Sequence, residues 1–237
     1  MRTAAIVPAA GRGERLGPGT PKALRTIGGA PLLVHAVRAL ARARAVDLIV
    51  VAAPSDDVLA VERLLADFEW GAEVRVLPGG EDRRESVARA LAALPAEVDV
   101  VLVHDAARPL APPELVDAVA AAVRERADAC VPVVPLADTV KEVAGGTVVR
   151  TLDRQQLRAV QTPQGFRRFL LAKAHAWAAE AGEQELATIT DDAGLVEKLG
   201  GCVVAIPGAE EAFKVTRPLD LVVAEALLAK QRADGAR

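Results

Sequence analysis

Aromatic residues make up only 3% of this chain, and it has no Tyr, two Cys, two Trp and one Met. Two cysteines cannot build a disulfide frame, and neither Cys130 nor Cys202 has a CxxC partner, so a structural zinc site is excluded. Both lie in apolar strand-like runs and are expected to be reduced core residues of a cytoplasmic protein. There is no excess of positive charge: 29 basic residues face 32 acidic ones, for a net charge of -3. That balance speaks against a nucleic-acid partner but leaves room for a local basic site. No apolar run reaches the length of a membrane span, and Met1–Pro8 is too short and too soon broken to be a secretory leader. Internal repeats, low-complexity segments and linkers are also missing, so residues 1–237 are expected to form one domain.

What is abundant is apolar sequence, at 51% of residues. Short runs rich in Val, Ile and Leu alternate with longer amphipathic ones. Strands are predicted at Thr3–Pro8, Leu48–Ala53, Glu73–Leu77, Val98–His104, Ala129–Pro135, Val160–Thr162 and Cys202–Ile206. Helices are predicted at Leu32–Ala43, Asp57–Phe68, Ser86–Leu94, Pro113–Arg126, Arg168–Ala181, Ala193–Leu199 and Pro218–Ala233, with a frayed tail over Gln231–Arg237. The early strands are almost continuously apolar, as in a sheet buried on both faces. Such alternation predicts an α/β, Rossmann-like fold: a mostly parallel twisted sheet flanked by helices.

One segment breaks the alternation. The β-rich runs Thr139–Val143 and Thr147–Leu152 flank Ala144-Gly145-Gly146 and predict a hairpin. A lone hairpin is marginal in water and needs something to pack on. Residues 138–154 are therefore expected to protrude as an arm that lies on a second copy of the chain; an edge hairpin of the main sheet is the alternative.

Chemistry concentrates where strands end. After the first strand comes Pro8-Ala9-Ala10-Gly11-Arg12-Gly13-Glu14-Arg15-Leu16-Gly17, then Pro21-Lys22. Small residues there let backbone N–H groups approach an anion. The spacing is not a dinucleotide fingerprint, because Leu16 stands where the third glycine belongs, and not a Walker loop, because Pro18 follows Gly17. A plain surface turn would not need Arg12, Arg15 and Lys22 together. The strand Val98–Val103 runs into His104-Asp105-Ala106-Ala107-Arg108-Pro109, which places Asp105 at the same sheet edge, where a carboxylate beside phosphates suits Mg²⁺. Pairing of Asp105 with Arg108 across a turn is the simpler alternative. His104, His35 and His175 are expected to be structural, and no nucleophilic triad stands out.

These motifs, with Gly79-Gly80, Arg83, Ser86-Val87, Asp138-Thr139-Val140-Lys141, Asp153-Arg154, Thr162-Pro163-Gln164, Thr188-Ile189-Thr190-Asp191 and Lys214-Val215-Thr216-Arg217-Pro218, resemble the 2-C-methyl-D-erythritol 4-phosphate cytidylyltransferases almost end to end. The glycine loop alone resembles the whole nucleotidyltransferase superfamily; His104–Pro109 and Thr162–Gln164 are more specific. Ala23, where the family usually has Gln, and Glu81, where a member can carry Asp, depart from the pattern without removing a needed charge. The resemblance implies transfer of a cytidylyl group from CTP to methylerythritol phosphate, with release of pyrophosphate, in-line attack and no covalent intermediate. It implies that Arg15, Lys22, Arg154 and Lys214 carry the chemistry. Pro8, Ala9, Ala10, Gly11, Gly13, Gly80, Glu81, Ser86, Asp105 and Ala106 would bind the nucleotide. Asp105, Arg108, Thr139, Arg154, Thr162, Thr190 and Lys214 would meet the acceptor, and Asp105 would stand near Mg²⁺. It further implies a homodimer whose arms cross, so that Thr139 and Arg154 serve the partner's site.

Other readings differ in acceptor or class. A ribitol 5-phosphate cytidylyltransferase is close, and another sugar-phosphate nucleotidyltransferase would share the glycine loop. The missing third glycine opposes a dinucleotide-dependent oxidoreductase. Retention of both phosphate grips opposes a non-catalytic nucleotide sensor.

Overall fold

The computed structural model describes residues 1–11, 22–125 and 127–235. Twelve strands are described: β1 (Arg2–Pro8), β2 (Thr26–Ile27), β3 (Ala30–Pro31), β4 (Leu48–Ala53), β5 (Glu73–Pro78), β6 (Val98–Val103), β7 (Ala129–Pro135), β8 (Lys141–Ala144), β9 (Thr147–Thr151), β10 (Arg158–Val160), β11 (Gln164–Arg167) and β12 (Val203–Pro207). The helices are α1 (Leu32–Arg42), α2 (Val58–Ala66), α3 (Arg83–Ala92), α4 (Pro113–Glu125), α5 (Arg168–Glu180), α6 (Glu183–Leu186), α7 (Asp192–Lys198) and α8 (Pro218–Gly235).

The expected α/β layering is present. Eight strands form one sheet in the order β10-β7-β11-β6-β1-β4-β5, with β12 also pairing β7. Strands β5, β4, β1 and β6 are parallel neighbours, and β12 is parallel to β7. Alternation along each strand divides the core in two. Ala5, Val7, Ile49, Val51, Val100 and Leu102 face α1, α2 and α4, whereas Ala4, Ile6, Leu48, Val50, Val101 and Val103 face α3, α5 and α7. Both faces are covered, which is why these strands read as unbroken apolar runs.

Four expectations are corrected. The strand expected at Val160–Thr162 lies earlier, at β10, antiparallel to β7. Gln161 instead leaves the ladder: its amide donates to the Ala209 carbonyl and accepts from the Ala209 N–H. Next, β11 was not foreseen. Its sequence, Gln-Gly-Phe-Arg, has no apolar run, yet it inserts antiparallel between β6 and β7. Gly165 makes that insertion possible, since a Cβ there would sit 2.7 Å from the Val119 side chain. Third, Cys202 is exposed rather than in the core. It precedes β12, after Gly200 (φ +77°) ends the previous helix, and its N–H donates to the Asp128 carboxylate. Fourth, α8 continues through residues 231–235, where fraying was expected.

The hairpin forms as β8 and β9, turning at Gly145 (φ 56°) and Gly146 (φ 80°), a left-handed pair that glycine adopts freely. It is a separate two-stranded sheet, not an edge of the large one. Every residue in both strands is exposed, including Val143, Val148 and Val149.

Candidate functional site

At the carboxyl ends of β1 and β6, a cleft of about 170 Å³ opens between Pro8–Gly11, Lys22, Arg83, Ser86, Asp105–Ala107 and Lys214. This is where open parallel sheets receive ligands. The first strand delivers the chain to the cleft through a bond from the Ala9 N–H to the Ala52 carbonyl, 2.8 Å. Opposite it, Gly79 lies so near Ala10 that an added Cβ would be 2.6 Å from the Ala10 methyl. The turn behind is held by Ser86, whose hydroxyl accepts from the Gly80 N–H at 3.0 Å and donates to the Asp82 carbonyl at 2.8 Å. Asp82 in turn caps α3 through the Glu85 N–H. The result is a narrow slot floored by small residues and backbone.

Asp105 is the centre of the charge network. One carboxylate oxygen accepts from Arg83 Nε at 3.2 Å and the other from Lys214 Nζ at 2.6 Å. Arg83 also reaches the buried Asp192 at 2.6 Å, whose second oxygen meets His175 Nε2 at 2.9 Å. Burial opposes ionisation of Asp105, but Arg83, Lys214 and Arg108 outweigh it and hold its carboxyl well below the usual range. Burial likewise opposes the charge on Arg83, and Asp192 and Asp105 keep it firmly protonated. Asp192 is held low in the same way, by Arg83 and His175 against its own burial.

A second set of bonds fixes Asp105 from behind. Its N–H donates to Thr162 Oγ1 at 3.0 Å, and Thr162 Oγ1 lies 3.1 Å from His104 Nδ1. His104 Nε2 is 3.1 Å from the Arg108 carbonyl. The bonds close if the neutral ring carries its proton on Nε2. Burial pushes His104 down to about 4, in keeping with the expected structural role. His35 and His175 are likewise bonded within the fold.

Of the residues singled out in the sequence, Pro8, Ala9, Ala10, Gly11, Lys22, Ser86, Asp105, Ala106 and Lys214 line this cleft. Gly80 and Thr162 support it at one remove. Glu81 is exposed, and its N–H is tied to the Glu85 carboxylate. Arg108 is not paired with the Asp105 carboxylate: its guanidinium donates to the Ala212 and Val160 carbonyls, tying two segments together. Thr139 and Thr190 are exposed, and Arg154, which donates to the Ala137 carbonyl, stands at the base of the hairpin; none of the three lines the cleft. Gly13 and Arg15 lie outside the described residues.

Two contributors had no role assigned from the sequence. Arg83 was only part of a motif, and nothing local reveals that it joins Asp105 to Asp192, the latter 109 positions away. Asp191, the last residue of the Thr188–Asp191 motif, caps α7 through the Gly194 N–H. Asp192 is instead the buried counter-ion of Arg83. Two adjacent acids at a helix start were the available signal, since one cap needs only one.

A parallel sheet with a glycine slot at the end of its first strand, flanked by Lys22, Lys214, Arg83 and Asp105, defines a phosphate-handling nucleotidyltransferase of the α/β class. Comparison with known proteins narrows this. The model of the 2-C-methyl-D-erythritol 4-phosphate cytidylyltransferase family matches residues 3–230, and the chain belongs to that family. It is 63% identical to the protein of that name from Frankia casuarinae over 238 residues, covering 100% of this chain and 85% of that one. The Streptomyces coelicolor protein of the same name is 57% identical, with 98% of this chain and 86% of that one covered. Among solved structures, the Thermus thermophilus 2-C-methyl-D-erythritol 4-phosphate cytidylyltransferase superimposes with a TM-score of 0.75 at 39% identity, covering 96% and 98% of the two chains. The Anaerococcus prevotii 4-diphosphocytidyl-2C-methyl-D-erythritol synthase gives a TM-score of 0.83 at 26% identity over 96% of each chain.

Proposed function

We propose that this protein transfers the cytidylyl group of CTP to 2-C-methyl-D-erythritol 4-phosphate, releasing pyrophosphate. The observation that carries the reading is Asp105 held between Arg83 and Lys214 at the mouth of the Ala9-Ala10 slot. The chemistry is a displacement at the α-phosphorus, which needs alignment and charge stabilisation and no protein nucleophile. Lys22 and Lys214 draw the phosphates into line; Arg15, which the family resemblance assigns to the triphosphate, lies outside the described residues. The Ala9-Ala10 backbone and the Gly80–Ser86 turn receive the base. Small residues and backbone floor the slot, so a flat base can approach its amide groups closely.

Magnesium fits this donor set. Among the described residues, Asp105 is the one carboxylate lining the cleft, and Mg²⁺ is commonly held by one or two carboxylates with substrate phosphates and water. Asp105 would contribute an oxygen, and the ion would neutralise triphosphate charge.

The reading extends to a homodimer in the cytoplasm. The exposed valines of β8 and β9, strands that pair only with one another, support an arm that lies on a second copy. Thr139 and Arg154, at the root of the arm and away from their own cleft, would then complete the partner's acceptor site. Two free cysteines and the lack, among the described residues, of a helix long and apolar enough to cross a membrane accord with this location.

Pyrophosphate release over a panel of nucleotides and acceptors tests the proposal. CTP with methylerythritol phosphate should be the preferred pair, and excess EDTA should stop the reaction without unfolding the chain. Preference for ribitol 5-phosphate would replace the acceptor; preference for a purine nucleotide would overturn the assignment of the slot.

A further inference from the structure

A larger cavity, about 620 Å³, opens between α1, the Pro109–Pro113 segment, Glu211 and the end of α8, and shares no lining residue with the nucleotide cleft. Three arginines line it: Arg38 and Arg42, one helical turn apart on α1, and Arg232 on α8. Two acids, Glu114 and Glu211, also line it. Yet among the described residues none of these five side chains forms an ion pair, although ten pairs are found elsewhere. Arg38 stacks 5.5 Å from the Phe68 ring, Arg232 donates to the Gly28 carbonyl, and Arg42 makes no side-chain hydrogen bond among the described residues. Burial first, then repulsion from Arg42 and Arg232, holds Arg38 below its ordinary value. The remaining wall is largely apolar, with Leu110, Ala111 and Leu228.

Three arginines outnumber the two acids around this hollow and, among the described residues, form an ion pair with neither, so an anion would meet an excess of positive charge. Planar guanidinium forks suit phosphate oxygens, and an apolar wall beside them suits an organic body. We propose that this cavity is a second ligand site, separate from the nucleotide cleft, for a small organic phosphate whose phosphoryl group meets Arg38, Arg42 and Arg232 and whose apolar part lies against Leu110 and Leu228. The site does not depend on the assigned reaction.

Phenyl phosphate is the probe. It is titrated calorimetrically into the full-length protein with saturating CTP and no acceptor, so that the nucleotide cleft is occupied and no turnover occurs. One saturable site is expected, weakening as salt is added. Arg42→Ser, an exposed position, should weaken binding roughly ten- to hundredfold, the scale of a charge-assisted contact, and Arg42→Glu should abolish it. Both variants should melt like the wild type and keep its rate of cytidylyl transfer. Phenol should not bind, and inorganic phosphate should bind more weakly than phenyl phosphate. Absence of a saturable site in the wild type, an unchanged affinity in both Arg42 variants, or equal binding of phenol would each overturn the proposal. Equal affinity for inorganic phosphate would remove the apolar wall from it. If pyrophosphate release fails while this site titrates as described, the reaction assignment falls and the site stands.

Discussion

Around Asp105, almost every polar group has a fixed partner: two cations on its carboxylate, Thr162 on its N–H, His104 behind Thr162, and Asp192 with His175 behind Arg83. Along the hairpin Lys141–Thr151 the polar groups pair only across the arm, Arg150 with Glu142 and Lys141 with Thr151, while three valines stand in solvent. Buried charge is tolerable only when every member is paired. Exposed apolar surface on a two-stranded sheet is stable only when something covers it. The buried charges around Asp105 are therefore paired within one chain, whereas the valines of the arm are left uncovered, and substitutions in the two regions should fail in different ways.

The largest separation of activity from stability is expected at Lys22. If Lys22 acts on the phosphates as proposed, Lys22→Ala should lower turnover roughly 10²–10³-fold, on the scale of one preorganised donor. Its melting temperature should stay close to that of the wild type. Near-normal turnover would remove Lys22 from the chemistry.

Asp192 should behave the other way. Asp192→Ala leaves Arg83 and the buried His175 without their shared partner. Breaking a buried pair costs about 3–5 kcal/mol, and the lower end applies because the Arg83 side chain is 32% exposed. A Tm lower by roughly 5–10 °C follows for a chain of this size. An unchanged Tm would show that the network positions Arg83 without supporting the fold.

Arg154 tests the arm. Arg154→Ala should raise KM for the sugar phosphate roughly tenfold or more, as loss of a charge-assisted contact implies, with little change in KM for CTP or in Tm. Subunit exchange sharpens the comparison. If arms cross, mixing the Lys22→Ala and Arg154→Ala proteins gives heterodimers with one doubly damaged and one intact site, restoring activity towards a quarter of wild type, about one good site in half of the dimers. No recovery after proven exchange would assign Arg154 to its own chain, and a monomer at assay concentration would remove the composite site.

The smallest effect concerns pH. His104 is buried neutral, with its pKa lowered to about 4. The unfolded chain therefore takes up more protons on falling through the ordinary histidine value, and stability present above about 6.5 is lost as pH drops towards 4. Between pH 7 and pH 5 this amounts to about 1–2 kcal/mol at about 1.4 kcal/mol per unit. Melting curves of His104→Gln, which keeps a donor and an acceptor, should be flatter over that window. Identical slopes would remove His104 as the cause.

Much of this was written locally. The apolar runs marked β1, β4 and β6 because two-sided burial needs continuous hydrophobicity, and Gly145-Gly146 marked the hairpin because two successive left-handed residues suit glycine. The slot at Pro8–Gly11 and the acid at Asp105 were legible because both follow directly on buried strands. Local pattern could not show β11, whose Gln-Gly-Phe-Arg becomes a strand only because β6 and β7 leave a gap that Gly165 can enter beside Val119. Nor could it separate Asp191, which caps its own helix, from Asp192, which neutralises Arg83 across 109 positions. Periodicity and capping are set by neighbours in the chain, so the sequence alone determined the layers, the turn and the edge at which a ligand enters. The pairing of buried charges is set by which strand ends converge, so only the tertiary structure decided that Arg83, Asp192 and His175 stand behind Asp105, that Arg108 is a tie between segments, and that three arginines surround a second hollow.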